Sequence, residues 1–358
     1  MSRLTIAIPT FRRPEDLKRA VGGVLEQASE LAAGPTAEAS GPRTDAEAGT
    51  EGDAAGATDA KGGAGEDVSD IEVLVIDNDA QGSGREAALA AAADAGVPVR
   101  FPADAPVESG GMSVRYVVEE RPGVAAVRNR ALDETAERDL LIFIDDDEDP
   151  EPGWLAALVG LWASTGCQAV AGPVIPVYEI EPEEWVRQGE FFVRRTWPTG
   201  TVRPVAASNC LLLDLGFVRR AGLRFDEAFG ATGGEDTLFT RRLSAAGGVI
   251  RWCDEARVRD HVPASRLTRP WILRRQRSHA ATSVRVELAL AGGGVQPAIR
   301  ARAAAGGLVR IVLGGLRTAG GTLVGSPRHA AKGARLLARG RGILAASTGG
   351  GVHREYDH

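Results

Sequence analysis

The segment LIFIDDDEDP, residues 141–150, joins a run of apolar side chains to five consecutive acids. A run such as LIFI is typical of a strand that is buried on both faces of a sheet. Carboxylates packed together repel one another, and each is costly to keep charged unless a cation lies nearby. The segment therefore predicts a buried strand that ends at a site for a hard divalent cation such as Mg²⁺, Mn²⁺ or Ca²⁺.

A solvated acidic loop is the plainer interpretation of the same acids. It accounts well for Glu148 and Asp149, and less well for the three aspartates that directly follow the strand. The cation site is favoured because ligands of parallel sheets bind at the carboxyl ends of the strands.

Earlier strands of the same kind precede this segment, and each is followed by a stretch with helical spacing. This alternation predicts an α/β fold, a mostly parallel sheet flanked by helices. The predicted strand ends carry polar residues suited to a ligand site, in the sequences PTFRR, DNDA and DDDED.

Composition divides the chain into three parts. Residues 29–70 are rich in Ala, Gly and acids and have almost no large apolar side chains, which predicts a disordered insertion within a domain spanning 1–280. Residues 281–358 are predicted to form a basic, Ala/Gly-rich helical appendage. Between Arg300 and Arg354 there are ten Lys or Arg residues and no acid, which fits peripheral contact with an anionic membrane or a basic helical hairpin packed on the domain.

Bulk properties exclude several classes of protein. The net charge of −6 gives no case for nucleic-acid binding. Three widely spaced cysteines argue against a disulfide framework or a zinc site and fit a reducing cytosol. No apolar stretch reaches the ~20 residues that a spanning helix needs, and the first residues do not resemble a signal peptide. We therefore expect a cytoplasmic protein, with any membrane contact peripheral on the inner face of the plasma membrane.

Six segments taken together resemble the family 2 glycosyltransferases with the GT-A fold, and in particular bacterial transferases that build exopolysaccharide or other cell-surface glycans. They occur in the family's order: IAIPTFRRPEDLKRAV, VLVIDNDA, RPGVAAVRNRAL, LIFIDDDEDP, SNCLLL and FDEAFGATGGEDTLFTRRL. The resemblance implies a Rossmann-like nucleotide-diphospho-sugar transferase fold. It also implies an inverting reaction that moves a sugar from a nucleotide-diphosphate sugar, with a UDP-sugar favoured, to a glycan or lipid-linked acceptor. Mn²⁺ or Mg²⁺ is the implied cofactor.

Motif position within the family implies which residues contact the donor. These are Pro9, Thr10, Phe11, Arg13, Asp77, Asn78, Arg128, Asn129, Asp145 and Asp146. Asn78 stands where the family more usually has Asp, which leaves the choice of nucleobase open. Arg128 has a second interpretation as an ordinary surface charge.

The resemblance also assigns the metal and the general base. Asp145 and Asp147 match the D-x-D motif, with Asp147 expected to contact the metal, and His261 is a candidate further ligand or a structural hydrogen-bonding residue. Asp236, with Glu235 beside it, matches the general base. Paired acids on a Gly-rich loop can raise each other's pKa, although both also suit the first turn of a helix.

Three residues are candidates on the acceptor side: Trp185, Trp197 and Asn209. Tryptophan faces pack well against sugar rings, but Trp is also a common core residue. Two other functions stay open from the sequence, a sugar nucleotidyltransferase and a catalytically silent scaffold that binds nucleotide-sugars. The absence of a Gly-rich, Lys-bearing loop after the first strand disfavours the former, and the intact acidic motifs disfavour the latter.

Overall fold

The computed structural model of the protein describes residues 2–33, 68–101 and 111–350. Numbered along the chain, the strands in these ranges are β1 (Ser2–Thr10), β2 (Val68–Asp77), β3 (Val99–Arg100), β4 (Gly111–Val118), β5 (Leu140–Ile144), β6 (Glu148–Pro150), β7 (Ala169–Ala171), β8 (Val174–Tyr178), β9 (Val202–Arg203), β10 (Cys210–Asp214), β11 (Ile250–Trp252) and β12 (Val258–Val262). The α-helices are α1 (Pro14–Ala33), α2 (Arg85–Asp94), α3 (Val124–Glu134), α4 (Trp154–Thr165), α5 (Glu184–Gly189), α6 (Leu215–Arg220), α7 (Glu235–Ala245), α8 (Arg269–Leu290), α9 (Gln296–Leu323) and α10 (Pro327–Ser347). Short 3-10 helices span Glu227–Phe229, Ala264–Leu267 and Gly293–Val295.

The central sheet has the strand order β3-β4-β2-β1-β5-β10-β7-β11-β9. Strands from β3 to β5 in this order run parallel, and β10 is antiparallel to both of its neighbours. A smaller sheet has the order β6-β12-β8. The predicted α/β class, with a mostly parallel sheet flanked by helices and followed by C-terminal helices, is confirmed.

The strand that opened the sequence analysis lies at the centre of the large sheet. All five side chains of β5 are buried, because β1 and β10 flank it and helices cover both faces. Leu140, Ile142 and Ile144 pack in the core cluster that includes residues of α1, α2 and α4. Leu141 and Phe143 face the opposite cluster, with residues of α3, α6 and α7.

The topology brings the predicted strand ends to one edge of the sheet. The parallel strands β1, β2 and β5 end there at Thr10, Asp77 and Ile144. Because β10 is antiparallel to β5 and Cys210 pairs with Ile144, the residue before β10, Asn209, begins at this same edge.

The boundaries of the predicted insertion and appendage differ from the structure. Helix α1 continues to Ala33 because Ala28 is buried and Leu31 packs against the core. Strand β2 already begins at Val68, so residues 29–33 and 68–70 are not disordered; the remainder of the predicted insertion, 34–67, lies outside the described residues. The boundary placed at residue 280 falls inside α8, which continues to Leu290.

The C-terminal helices α9 and α10 form a hairpin whose contact surface is made of glycines. Gly307, Gly314 and Gly321 recur at intervals of seven residues and are the buried residues of α9. A Cβ atom at Gly314 would lie 2.5 Å from the Leu337 amide nitrogen and 2.9 Å from the Gly333 carbonyl oxygen. The glycines, which weaken an isolated helix, therefore permit close backbone approach here. In the described part of the chain, no helix is both long and apolar enough to cross a bilayer.

Gly314 and its neighbour Gly315 form a matched pair for testing this packing. Gly314→Ala should lower the free energy of unfolding by about 1–3 kcal/mol, because the added methyl group would clash with backbone atoms of α10, which can move only if the helix packing is disturbed. Gly315→Ala should raise it by about 0.5–1 kcal/mol, since no heavy atom beyond the adjacent residues and the helix's own backbone lies within 4 Å of the new Cβ and Ala favours the helix. Urea denaturation followed by circular dichroism compares the two. Equal effects of both changes would contradict the packing.

Candidate active site

Asp146 joins the end of β1 to the turn after β5. The Thr10 hydroxyl donates to its Oδ2 at 2.8 Å, and Arg13 donates to its Oδ1 at 3.1 Å. Burial raises the pKa of Asp146 to about 7, although the Arg13 charge opposes the shift. Asp146, the middle of the three aspartates, is thus a buried side chain that fixes the turn.

Asp145 and Asp147 flank Asp146 and are more open. The Asp147 carboxylate lies 2.9 Å from Arg13 and 3.3 Å from Arg266, and Asp145 lies 3.7 Å from Arg128. Desolvation by the surrounding protein raises the pKa of Asp145, and the charge of Asp147 raises it further. The turn after β5 therefore concentrates negative charge that arginines from distant segments only partly neutralise.

The burial of Glu148 contradicts its assignment to a solvated acidic loop. Its side chain is 1% exposed because β6 pairs with β12. Its carboxylate accepts from the Asp145 backbone amide at 3.2 Å and from the Asn209 side-chain amide at 2.5 Å. The three residues E-D-P form a short strand, although they are too few to show a strand period in the sequence.

His261 lies on β12 beside the same turn. Its backbone amide donates to the Asp147 carbonyl oxygen at 3.1 Å, and its Nε2 lies 2.5 Å from Asp149 Oδ2. The side chain is thus paired with Asp149, and its role as a metal ligand stays a prediction. Within residues 2–33, 68–101 and 111–350, no three His, Cys, Asp or Glu side chains form a ready-made metal shell.

Arg128 on α3 connects the acidic turn to α7. It is buried, forms an ion pair with the Glu235 carboxylate and also approaches Asp145. The surface-charge interpretation of Arg128 is therefore wrong. Burial raises the pKa of Glu235 to about 7, with Arg128 opposing the shift and Asp236 adding to it.

Asp236 points in a different direction from Glu235. It lines a cleft of about 310 Å³ between α7 and the second half of the sheet, together with Asn209, Trp197 and Arg194. Its Oδ1 accepts from the amide of Thr237 at 2.5 Å and from the hydroxyl of the same residue at 3.2 Å. The two adjacent acids in the first turn of α7 thus face different parts of the site. Glu235 contacts Arg128, and Asp236 lines the cleft.

Comparison with known proteins finds similar sequences and structures. Residues 64–213 match the model of the family described as Glycosyl transferase family 2. This segment of the chain therefore resembles a family 2 glycosyltransferase domain. The resemblance seen in the sequence motifs is thereby confirmed.

One curated relative of this glycosyltransferase domain is the succinoglycan biosynthesis protein ExoM of Rhizobium meliloti (strain 1021). It is 33% identical over 212 residues, which cover 58% of this chain and 62% of that protein. The chain therefore matches less than two thirds of the relative's length.

Two solved structures are also similar to the chain. GalNAc-T7, crystallised with UDP, GalNAc and Mn²⁺, is 14% identical with a TM-score of 0.47, covering 79% of this chain and 51% of that one. S. aureus TarS is 12% identical with a TM-score of 0.46, covering 82% and 47% respectively.

Three predicted donor contacts of the glycosyltransferase domain have partners within the protein. Asp77 accepts from the Asp79 and Gly84 amides at 2.9 and 2.7 Å. Asn78 donates to two backbone carbonyl oxygens and accepts from one amide. Asn129 bonds both backbone polar groups of Phe225 at 2.9 Å. These residues shape the loops at the sheet edge, and their contact with a nucleotide stays a prediction.

The end of β1 presents the other predicted donor residues. Pro9 and Phe11 are partly buried and Arg13 is exposed, and Arg12 lies 4.8 Å from the centre of the Phe11 ring. Arg12 adopts a left-handed backbone conformation with φ 54°, which is uncommon for a residue with a side chain and often marks functional loops.

The acceptor-side candidates separate in the structure. Trp197 and Asn209 line the cleft beside Asp236. Trp185 is buried, stacks on Phe191 with ring centres 4.8 Å apart, and packs in a different apolar cluster. Trp185 is thus a core residue, as the second interpretation of the sequence has it. It does not line the cleft, so the structure gives no support for a role in acceptor binding.

The raised pKa of Glu235 predicts how pH affects stability. The folded protein keeps this proton up to a pH of about 7, whereas the ordinary pKa of the group is 4.5. The folded state therefore binds more protons between these values, so the free energy of unfolding falls as pH rises, by up to about 1.4 kcal/mol per pH unit for this group. Glu235→Gln should show a shallower fall between pH 5 and 7 in urea denaturation.

Glu227→Gln is the matched control, because Glu227 is exposed and forms a surface ion pair with Arg121. It should keep the pH dependence of the unchanged protein. An identical fall with pH in Glu235→Gln would show that Glu235 is ionised throughout this range.

Proposed function

We propose that the protein is an inverting glycosyltransferase that moves a sugar from a nucleotide-diphosphate sugar to a hydroxyl of a glycan or lipid-linked acceptor, with Asp236 as the general base. One observation carries the proposal: the first turn of α7 joins the acidic sheet edge, through Glu235 and Arg128, to a cleft lined by Asp236. A donor at the edge and an acceptor in the cleft would meet at this turn. Because the matched relative takes part in succinoglycan biosynthesis, we propose polysaccharide assembly as the wider role.

Asp236 has the features of a base. A general base must face the hydroxyl whose proton it takes, and Asp236 lines the cleft from the first turn of a helix. Only its Oδ1 is hydrogen-bonded to described residues, which leaves Oδ2 for an acceptor hydroxyl. Glu235 is the buried partner that holds Arg128, so we assign it a positioning role.

A divalent cation fits the residues after β5. Mg²⁺ is usually held by one or two carboxylates together with substrate phosphates rather than by a complete protein cage. Asp145 and Asp147 are two such carboxylates, both partly accessible at 35% and 17% side-chain exposure. When bound, the cation would neutralise charge on the leaving diphosphate. Arg13 and Arg266 lie beside Asp147 and are placed to bind diphosphate oxygens, and a UDP-sugar is the donor we favour.

Asp236→Asn tests the assignment of the base. Turnover should fall by about 10²–10⁴-fold, the usual contribution of a general base, while nucleotide binding stays unchanged because Asp236 lies on the cleft side. Release of nucleoside diphosphate from UDP-, GDP- and dTDP-sugars, with alkyl glycosides as acceptors, measures turnover. Asp133→Asn is the control, since Asp133 forms a surface ion pair with Arg224.

Retained turnover in Asp236→Asn would contradict the assignment of the base. Nucleotide binding without turnover in the unchanged protein, over all donors and acceptors, would favour the silent scaffold. Release of inorganic diphosphate from a nucleoside triphosphate and a sugar phosphate would favour the nucleotidyltransferase.

We also propose that α9 contacts an anionic membrane. Its glycine face packs on α10, so its large apolar side chains face outward with 52–67% exposure: Leu308, Val309, Val312, Leu313 and Leu316. By helical spacing, Arg310 and Arg317 lie along one edge of this face. An apolar face edged by arginines, in a segment without acids, suits the surface of an anionic bilayer.

Cosedimentation with vesicles tests the membrane contact. The Val312→Gln/Leu316→Gln double variant should bind phosphatidylglycerol-containing vesicles at least about tenfold more weakly, because it removes apolar surface that the bilayer would bury. Leu89→Gln, at an exposed site on α2, should bind normally. Equal binding by both variants would contradict the proposal, and so would dimerisation through α9 without vesicle binding.

A further inference from the structure

The cleft beside Asp236 contains more positive charge than its own acids neutralise. Arg194, Arg195 and Arg203 line it, and Asp236 is the acid that lines it. Arg194 is already paired, since it lies 3.1 Å from Asp260. Neither Arg195 nor Arg203 has a carboxylate within ion-pair distance among the residues that the structure describes.

Arg203 is held in place by aromatic packing. Its guanidinium lies 3.5 Å from the centre of the Trp197 ring, and Trp197 meets Trp252 edge-on at 4.9 Å. Its Nε is buried and has no hydrogen-bond partner in the described structure. A donor without a partner is unfavourable, so this fixed cation beside the cleft suggests a ligand that supplies an acceptor atom.

We propose that Arg195 and Arg203 bind an oxyanion carried by the acceptor, either a phosphate or a carboxylate. Guanidinium groups recognise both through charge-assisted hydrogen bonds. The anion would lie at the arginine end of the cleft, and the acceptor sugar would then extend past Trp197 towards Asp236. The inference deepens the proposed function, on which it rests, by naming the acceptor as anionic.

The two cations lie outside the group that surrounds the acidic edge. Arg13, Arg128 and Arg266 pair with the carboxylates after β5, whereas Arg195 and Arg203 belong to the cleft. Loss of the cleft cations should therefore change acceptor binding and leave nucleotide binding intact. This separation makes failure of the inference distinguishable from failure of the proposed function.

The experiment compares matched probes by calorimetry. For glucose, galactose and mannose, the neutral octyl glycoside is compared with the octyl diphosphate-linked sugar and with the octyl uronoside. Proteins are the unchanged chain, Arg195→Gln, Arg203→Gln, the double variant, and Arg220→Gln as a control at an exposed site on α6. UDP, GDP and dTDP are titrated with Mn²⁺ into each protein in parallel.

The unchanged protein should bind at least one anionic probe about tenfold or more tightly than its neutral counterpart, as expected for charge-assisted bonds. The double variant should lose this preference, Arg220→Gln should keep it, and nucleotide binding should be equal in all proteins. Preference for the diphosphate probe would indicate a lipid-diphosphate acceptor, and preference for the uronoside an acidic sugar.

Equal binding of anionic and neutral probes by the unchanged protein would overturn the inference, as would absence of binding by all probes. A preference that survives in the double variant would also overturn it. Loss of nucleotide binding in the double variant would reassign the two arginines to the donor. Absence of nucleotide binding in every protein would count against the proposed function itself.

Discussion

The rest of the site depends on how the negative charge at the end of β5 is compensated. A buried parallel strand delivers three aspartates to the sheet edge, and the protein surrounds them with arginines from separate segments, including Arg13 after β1 and Arg266 before α8. Burial raises the pKa of Asp145, and the neighbouring carboxylate of Asp147 raises it further, so these acids are costly to keep ionised. A cation bound at the end of β5, where a metal-bound diphosphate is proposed, would therefore offset this carboxylate charge.

Arg128 extends this electrostatic arrangement to the second half of the protein. It lies between Asp145 and Glu235, so the acidic turn and the start of α7 share one buried cation. Removing one partner from such a group leaves an uncompensated buried charge, which is far more costly than losing a surface pair. The start of α7, which carries Asp236, is therefore linked to the same charges that surround the acids after β5.

Much of this could be predicted from local sequence, and the failures have physical causes. The LIFI run identified β5 because continuous apolar residues occur where both faces of a sheet are covered. The burial of Glu148 is not predictable from local sequence, because three residues are too few to show a strand period and its burial depends on pairing with the distant β12. The glycines of α9 look unfavourable for a helix until α10 lies against them. Likewise, nothing in the sequence distinguishes the cleft arginines from surface arginines. The stacking of Arg203 on Trp197 is visible only in the structure.

The central claim is that the acids after β5 form a metal-dependent nucleotide site, and calorimetric titration of UDP, GDP and dTDP with and without Mn²⁺ tests it most directly. The account predicts that one nucleotide binds only with the metal and that Asp147→Asn abolishes this dependence. Asp133→Asn, at a surface ion pair on α3, should bind like the unchanged protein. Metal-independent binding, unaltered in Asp147→Asn, would contradict the account, and so would the absence of binding by every nucleotide.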